Sequence, residues 1–284
     1  MHVRVPASSA NLGPGFDTLG MALSLYAEVG IDDGSAGSRP PEARVADDTH
    51  PAQVAFRRAV GDGLVWVKSP IPAGRGMGFS GAVRVGGAVA AHVQQHGESH
   101  EALAAALPAL LVLTAELEGH ADNVAASLYG GVVATAADRA VRVPMSFDPA
   151  MVMWVPGFVT KTDESRTALP ASVPMADVVF NLGRTAMLVA ALAAGEIDAL
   201  REATRDRLHQ DIRLRAAQPS AQAIELALAN GAWASWLSGS GPTVAAMCGV
   251  DEADDLAALL DREMGEQGHT KVLRIDHAGA TVEP

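Results

Sequence analysis

The sequence predicts an α+β fold. Short alternating or apolar runs are typical of strands, longer runs have helical spacing, and 49% of the 284 residues are hydrophobic, which is ample for a large core. In the second half the order is strand, helices, strand, hairpin, strand, helix, strand. That order is typical of a sandwich in which helices cover one face of a sheet.

The first half of the chain predicts strands and helices around a long surface loop. Alternation predicts a strand over residues 2–6 and then a polar, glycine-marked loop over 7–17. The Asp, Gly, Pro and Ser content of residues 31–51 predicts a surface loop. The other predicted elements are helices at 54–60, 80–95 and 100–117, the last broken near Pro108, and strands at 63–68 and 132–136.

The second half begins after a change of pattern near residues 137–146. Its predicted strands lie at 151–155, 232–237, 243–248 and 271–275. Its predicted helices lie at 178–194, 197–208, 221–229 and 251–264. The two middle strands are joined by Ser238-Gly-Ser-Gly-Pro242, which predicts a tight connection.

Composition excludes several classes of protein. The net charge of −12 argues against nucleic-acid binding through a basic face. The single cysteine, Cys248, excludes an intramolecular disulfide and a Cys-based zinc site, and its apolar setting predicts a buried structural thiol. The apolar run at 103–114 is interrupted by proline and shorter than a membrane span, and we find no signal-peptide pattern. We therefore expect a cytoplasmic protein with no membrane or nucleic-acid partner.

A glycine-rich stretch carries the strongest chemical signal. It reads Ile71-Pro-Ala-Gly-Arg-Gly-Met-Gly-Phe-Ser80 and leads directly into the predicted helix at 80–95. Glycines let the backbone approach an anion, and the free amides of a first helical turn bind phosphate. The stretch matches neither a Walker A loop nor the dinucleotide fingerprint. It is either a phosphate cradle or a tight connection.

Three other segments combine glycine with polar side chains. They are Ser9-Ala-Asn-Leu-Gly-Pro-Gly-Phe-Asp17, Glu116-Leu-Glu-Gly-His-Ala-Asp-Asn-Val124 and Leu237-Ser-Gly-Ser-Gly-Pro-Thr243. A phosphate loop, a carboxylate and a nearby hydroxyl together suggest Mg-nucleotide phosphoryl transfer. The polar residues at 120–123 also suit turns or helix caps. Arg166 and Arg213 are suited to bind a carboxylate, or they are solvated.

In this order the segments resemble the GHMP kinase superfamily, and within it the homoserine kinase family most closely. The matching runs cover nearly the whole chain. They are Pro6-Ala-Ser-Ser-Ala-Asn-Leu-Gly-Pro-Gly-Phe-Asp-Thr-Leu-Gly20, the loop at 72–82, Glu118-Gly-His-Ala-Asp-Asn-Val-Ala-Ala126 with Gly130-Gly131, Thr162 to Pro170 around Arg166, His209 to Pro219 around Arg213, and Leu237 to Thr243.

The resemblance implies a fold and a reaction. The fold would be the GHMP kinase fold, with a ribosomal-protein-S5-like N-terminal domain over 1–146 and a ferredoxin-like α/β sandwich over 147–284. The reaction would transfer the γ-phosphoryl group of ATP, with Mg²⁺, to the side-chain hydroxyl of a small-molecule substrate, L-homoserine, in threonine biosynthesis. ATP would bind to Pro72, Gly74, Arg75, Gly76, Met77, Gly78, Phe79, Ser80, Gly81, Ala82, Ser238 and Gly239.

The resemblance also implies roles on the substrate side. The amino acid would lie between the two halves, on Asn11, Asp17, His120, Asp122, Asn123, Arg166 and Arg213. The two arginines would hold its carboxylate, and Asp17 or Asp122 its ammonium. Catalysis would involve Asp122, Asn123, Thr162 and Arg166, although a polar site that orients the hydroxyl directly would need no strong general base. Ser80 would reach Mg²⁺, with Glu116 as the preferred acidic ligand and Glu118 as the alternative.

The sequence departs from the family pattern on the nucleotide side. Phe79 replaces the first serine of a Ser-Ser pair, and Gly81 replaces an alanine, which would make room for the aromatic ring. The segment at 27–71 is short for the family. Within it, Ala52-Gln53-Val54 replaces the family's Asn-Leu-Val element, whose asparagine approaches the nucleotide.

These departures leave three hypotheses about function open. The protein is a homoserine kinase, a kinase for another small hydroxy acid, or a catalytically weak protein that binds an amino acid or a nucleotide. A homodimer is the default expectation for such an enzyme.

Overall fold

The structure, a computed structural model, describes residues 1–35, 39–159 and 162–283, without the side chains of residues 162–164. Its strands are β1 (His2–Ala10), β2 (Leu19–Asp32), β3 (Arg44–Val45), β4 (Leu64–Lys68), β5 (Val132–Ala136), β6 (Arg139–Val143), β7 (Ala150–Pro156), β8 (Ala234–Leu237), β9 (Val244–Cys248), β10 (Gly268–Arg274) and β11 (Thr281–Glu283). Its α-helices are α1 (Pro51–Arg58), α2 (Phe79–His96), α3 (His100–Glu118), α4 (Asp122–Tyr129), α5 (Thr162–Thr167), α6 (Met175–Ala194), α7 (Leu200–Ala203), α8 (Gln210–Arg215), α9 (Gln218–Ala229) and α10 (Ala253–Met264). Two 3₁₀ turns lie at Ile197–Ala199 and Gly265–Gln267.

The first sheet supports helix α2, which follows the glycine-rich loop. Its order is β11-β1-β2-β4-β3, and β5 and β6 extend from β2. β1 and β2 pair antiparallel from Val3↔Val29 to Ala10↔Gly20. Helix α2 packs on both of these strands and on α1, α3 and α4. Its inward residues are small and apolar, which lets the helix lie close to the sheet.

The second sheet has the strand order β10-β7-β9-β8, with every pair antiparallel. Numbered from β7, this is 4-1-3-2, the ferredoxin-like order expected for a β-α-β-β-α-β unit. Helices α9 and α10 pack against this sheet. The predicted α+β class is therefore confirmed.

One hydrophobic core joins the two sheets. Met21 and Leu23 of the first sheet belong to the same buried cluster as Met151, Met153 and Trp236 of the second. The last strand, β11, returns to the first sheet beside β1. The division into domains at residues 146 and 147 therefore stays a prediction, although the chain does pass between sheets there.

Three sequence predictions need correction. The loop expected at 7–17 begins later, because β1 continues to Ala10. Helix α3 runs unbroken through Pro108, since the proline is exposed and water can reach the carbonyl that lost its partner. The helix expected at 197–208 ends at Ala203, because the Asp206 carboxylate instead accepts hydrogen bonds from the amides of His209 and Gln210, at 2.8 and 2.7 Å, and so starts α8.

Two helices in the described part of the chain have the length and composition of a membrane span. They are α3, with 19 residues, and α6, with 20 residues, each with a mean hydropathy of 1.4. The run at 103–114 is shorter than a membrane span, as expected, but the whole helix α3 is long enough to be one. Both helices contribute leucines to the shared core, including Leu111 and Leu192.

Candidate active site

An open cleft lies where the glycine-rich loop meets β1, α4 and the 238–243 loop. The cleft is open to solvent, and its cavity volume is about 120 Å³. Most of the predicted site residues line it: Asn11, Asp17, Pro72, Gly74, Gly76, Met77, Gly78, Phe79, Ser80, His120, Asp122, Asn123, Arg166, Arg213 and Gly239. The sequence segments that share glycine and polar residues therefore meet in one place.

The glycine-rich loop is held by close backbone contacts. A Cβ on Gly76 would lie 2.2 Å from the Ser238 carbonyl oxygen, and a Cβ on Gly78 would lie 1.9 Å from the Ser8 Oγ. Both glycines adopt positive φ, at 75° and 69°. The Ser238 hydroxyl donates to the Gly76 carbonyl at 2.6 Å, and the Ser8 amide donates to the Met77 carbonyl at 3.2 Å. Only glycine permits this approach.

Helix α2 begins at the end of this loop. Gly78 is its N-cap residue and supplies no side chain to cap the helix. The amides of Phe79, Ser80 and Gly81 therefore lie in a first turn where they have no intrahelical acceptor, at the positive end of an 18-residue helix. This geometry suits a phosphate group.

The departures at Phe79 and Gly81 have separate structural reasons. The Phe79 ring meets the His50 ring edge-on, with centroids 6.3 Å apart. A Cβ on Gly81 would lie 3.3 Å from atoms of Asn123 and Val124. Gly81 therefore allows α2 to approach α4, and the expectation that it makes room for Phe79 is wrong.

A carboxylate lies beside the start of α2, but it belongs to Glu118. The Ser80 hydroxyl donates to Glu118 Oε2 at 2.8 Å, and the Glu118 side chain is only 12% exposed. Glu116 points away, with a side chain 62% exposed and 3.7 Å from Arg58. The choice of Glu116 as the acid beside Ser80 is wrong, because the last turn of α3 directs residue 118 and not residue 116 toward α2.

His120, Asp122 and Asn123 form a hydrogen-bonded corner at the start of α4. Asp122 Oδ1 contacts His120 Nδ1 at 2.8 Å and accepts from the Asn123 amide at 2.7 Å. The Ser8 hydroxyl donates to Asn123 Oδ1 at 2.8 Å. Burial would lower the pKa of His120, but the hydrogen bond and charge of Asp122, with the charges of neighbouring acids, outweigh it and raise that pKa.

Arg166 lines the cleft and is held by Asp17. Its guanidinium donates two hydrogen bonds to the Asp17 carboxylate, at 2.8 and 2.7 Å. Asn11 and Asp17 both have left-handed backbone, with φ of 69° and 54°. Such strain in non-glycine residues is concentrated at functional sites.

Arg213 is buried against a neutral histidine. Its Nη1 donates to the Gly239 carbonyl at 3.2 Å and contacts His209 Nδ1 at 3.0 Å. Burial lowers the pKa of His209, so its ring is neutral, accepts at Nδ1 and donates from Nε2 to the Gly13 carbonyl at 2.8 Å. Burial, with the charge of Arg166, also lowers the pKa of Arg213.

Several predicted residues lie outside the lining of the cleft. Arg75 donates to the Gly157 carbonyl at 3.2 Å. Gly81 and Ala82 are buried in the first turn of α2, and Ser238 is buried with its hydroxyl on the Gly76 carbonyl. The side chain of Thr162 lies outside the described residues.

The sequence analysis did not identify several residues that contact and position the predicted site residues. Phe16 lies with its ring 5.5 Å from the Arg166 guanidinium carbon and 5.4 Å from that of Arg213. His209 holds Arg213, as described above. Arg84 lies 3.0 Å from Glu118. The i, i+4 spacing of His209 to Arg213 and of Ser80 to Arg84 on helices was the available signal.

Comparisons with known proteins identify the family of this chain. Residues 49–131 match the family model "GHMP kinases N terminal domain", and residues 188–267 match "GHMP kinases C terminal". Homoserine kinase from Thermus thermophilus is 38% identical, over 95% of this chain and 94% of that protein. Homoserine kinase from Streptomyces coelicolor is 40% identical, over 100% of this chain and 94% of that protein. The chain belongs to the homoserine kinase family of GHMP kinases.

Solved structures support the fold of this family. A crystal structure of homoserine kinase from Cytophaga hutchinsonii aligns with a TM-score of 0.83 at 23% identity, covering 100% of this chain and 97% of that one. Methanococcus jannaschii mevalonate kinase aligns with a TM-score of 0.68 at 13% identity, covering 97% and 98%. The GHMP kinase fold predicted from the motifs is therefore confirmed.

Proposed function

We propose that the protein transfers the γ-phosphoryl group of ATP to the side-chain hydroxyl of L-homoserine. The bond between the γ-phosphorus and the β,γ-bridging oxygen breaks, and a bond forms from the homoserine oxygen to that phosphorus. ADP and O-phospho-L-homoserine leave, and the hydroxyl proton is released. The product is an intermediate toward threonine. Membership of the homoserine kinase family supports this assignment.

One observation carries the proposal most directly. The Ser80–Glu118 pair, 2.8 Å apart at the N-terminus of α2, shares a cleft with Asp122, Arg166 and Arg213. A phosphate site at one end and groups for an amino acid at the other leave the reacting atoms between them. Phosphoryl transfer needs mainly such alignment and charge stabilisation.

The nucleotide end suits the phosphates of ATP and a magnesium ion. Mg²⁺ takes oxygen ligands, commonly one or two carboxylates together with substrate phosphates. Ser80 and Glu118 offer such oxygens, whereas the described residues contain no cluster of three His, Cys, Asp or Glu side chains that would form a cage for a metal. When bound, Mg²⁺ would neutralise part of the phosphate charge. Gln53 does not serve the nucleotide in this proposal, because its amide bonds the backbone of Gly63 and Val65 at 3.0 and 2.9 Å.

The amino-acid end suits a zwitterion. We assign the substrate carboxylate to Arg213, whose guanidinium is buried at the cleft. Arg166 and Asp17 form a bidentate pair there, so the arginine fixes the carboxylate that would receive the ammonium. Asn11 braces this turn by accepting from the Asp17 amide at 3.0 Å.

Asp122 is our choice to orient the hydroxyl. Its Oδ1 makes the contacts to His120 and to the Asn123 amide, and we assign Oδ2 to accept the substrate hydrogen bond and proton. Because the transition state is loose, this group mainly aligns the oxygen. Thr162 keeps its proposed catalytic role only as an inference from the family motif.

A turnover assay tests the proposal. Purified protein with Mg-ATP is given L-homoserine, L-threonine, L-serine, pantoate or mevalonate, with a no-acceptor control. ADP release with homoserine alone is the expected result. Turnover of another alcohol would favour the hydroxy-acid kinase, and ATP binding without turnover would favour the binding-protein alternative that Phe79 first suggested. The homodimer and the cytoplasmic location stay predictions, the first open to light scattering on the purified chain.

A further inference from the structure

Arg84 lies at the proposed cation site and has no role in the proposed reaction. It follows Ser80 by four residues on α2, so the two side chains share one face of the helix. Its Nε is 3.0 Å from Glu118 Oε2, the same oxygen that accepts from the Ser80 hydroxyl at 2.8 Å. One carboxylate oxygen thus faces a hydroxyl and a fixed positive charge.

The guanidinium is poorly satisfied apart from this contact. The Arg84 side chain is 19% exposed. Its Nε forms the ion pair with Glu118 but makes no hydrogen bond, and its Nη1 is buried with no hydrogen-bond partner among the described residues. Buried donors without partners are unfavourable, so the charge of Glu118 is what holds the group in place. The guanidinium therefore places a positive charge directly beside this carboxylate.

We propose that Arg84 competes with the divalent cation for the Glu118 carboxylate and so raises the free Mg²⁺ concentration that the enzyme requires. The inference rests on the proposed function, because that function brings a cation to Ser80 and Glu118. A cation that binds Glu118 Oε2 must either displace the Arg84 guanidinium or bind next to its positive charge. Both weaken the binding of the cation. Without a cation, the same arginine neutralises the carboxylate.

Manganese binding tests this without turnover. The dissociation constant of Mn²⁺ is measured by electron paramagnetic resonance on the full chain with saturating ADP. The variants are Arg84→Met and Arg84→Gln, which remove the charge and keep the length of the stem. The matched control is Arg58→Met, since Arg58 pairs with the exposed Glu116 at 3.7 Å near the same end of α3. Thermal unfolding establishes that each variant is folded.

The expected result is about tenfold tighter Mn²⁺ binding in both Arg84 variants and unchanged binding in Arg58→Met. Unchanged or weaker binding in the Arg84 variants overturns the inference, and weaker ADP binding would show instead that Arg84 contacts phosphate. Tighter binding in the Arg58 variant as well would also overturn it, because the effect would then be one of net charge. If wild type phosphorylates homoserine but Arg84→Met binds Mn²⁺ as wild type does, only this inference fails. If no alcohol is phosphorylated, the proposed function fails on its own assay.

Discussion

Replacing Glu118 with glutamine should damage the enzyme far more than the same change at Glu116. The Glu118 carboxylate lies 3.0 Å from Arg84 Nε, and the two side chains are 12% and 19% exposed. At an effective dielectric constant of about 20, two unit charges 3 Å apart attract by roughly 5.5 kcal/mol before the loss of hydration is counted. Breaking a fully buried pair costs about 3–5 kcal/mol, so for this nearly buried pair we expect Glu118→Gln to lose about 2–3 kcal/mol of unfolding free energy.

Activity should fall as well, because Glu118 is the acid beside the phosphate site. We expect kcat/KM for homoserine to drop about 10²–10³-fold, the usual effect of removing one group that stabilises transition-state charge. Glu116→Gln is the matched control. Glu116 is 62% exposed and 3.7 Å from Arg58, so its stability should change by less than about 0.5 kcal/mol and its activity should be unaffected. Urea unfolding and steady-state kinetics measure both quantities. Equal effects of the two substitutions would refute the assignment of Glu118.

Three further predictions follow from the cleft and its supports. Arg213→Ala should lower kcat/KM for homoserine at least about tenfold, as for a charge-assisted pair with the substrate carboxylate; a near-wild-type value would remove Arg213 from the site. The raised pKa of His120 stabilises the folded state fully below its ordinary value of 6.5, and this contribution is lost as pH rises through the raised pKa. The urea midpoints of wild type and His120→Gln should therefore differ more at pH 5.5 than at pH 9, and a constant difference would contradict this. Gly78→Ala should lose about 2–3 kcal/mol from backbone strain and the clash with Ser8, whereas Gly97→Ala, with φ of 79° and open space, should lose about 1 kcal/mol; equal losses in thermal unfolding would show that the loop can relax.

Local patterns predicted strands β1, β4, β5, β7, β8, β9 and β10, most of the helices and the composition of the site. They did not predict β2, β3, β6 or β11. The glycine loop and the start of α2 follow from the run at 71–80, because glycine content and helix spacing are local properties. The continuity of helix α3 could not be predicted from the sequence. A helix accommodates a proline such as Pro108 when the residue is exposed, and that exposure is set by the folded chain. The end of helix α7 could not be predicted from the sequence either, because it depends on Asp206. The Asp206 side chain accepts a hydrogen bond at 2.7 Å from Asn181, which is distant in the sequence.

The choice between Glu116 and Glu118 shows where sequence reasoning stops. Both residues lie in the last turn of α3, and only the rotation of that helix against α2 decides which one reaches Ser80. Arg84 shows the same limit, because its importance lies in a contact between helices. The motifs identified the chemistry of the site, and tertiary packing selected the individual atoms.

The most direct test of the central claim is ³¹P NMR of the reaction product. The purified protein is incubated with Mg-ATP and L-homoserine, and the spectrum is recorded as ATP is consumed. We predict one new phosphomonoester resonance that matches O-phospho-L-homoserine, growing in step with the ADP signals. Inorganic phosphate alone, or no change in the ATP signals, would contradict the assignment of the cleft as a homoserine phosphotransferase site.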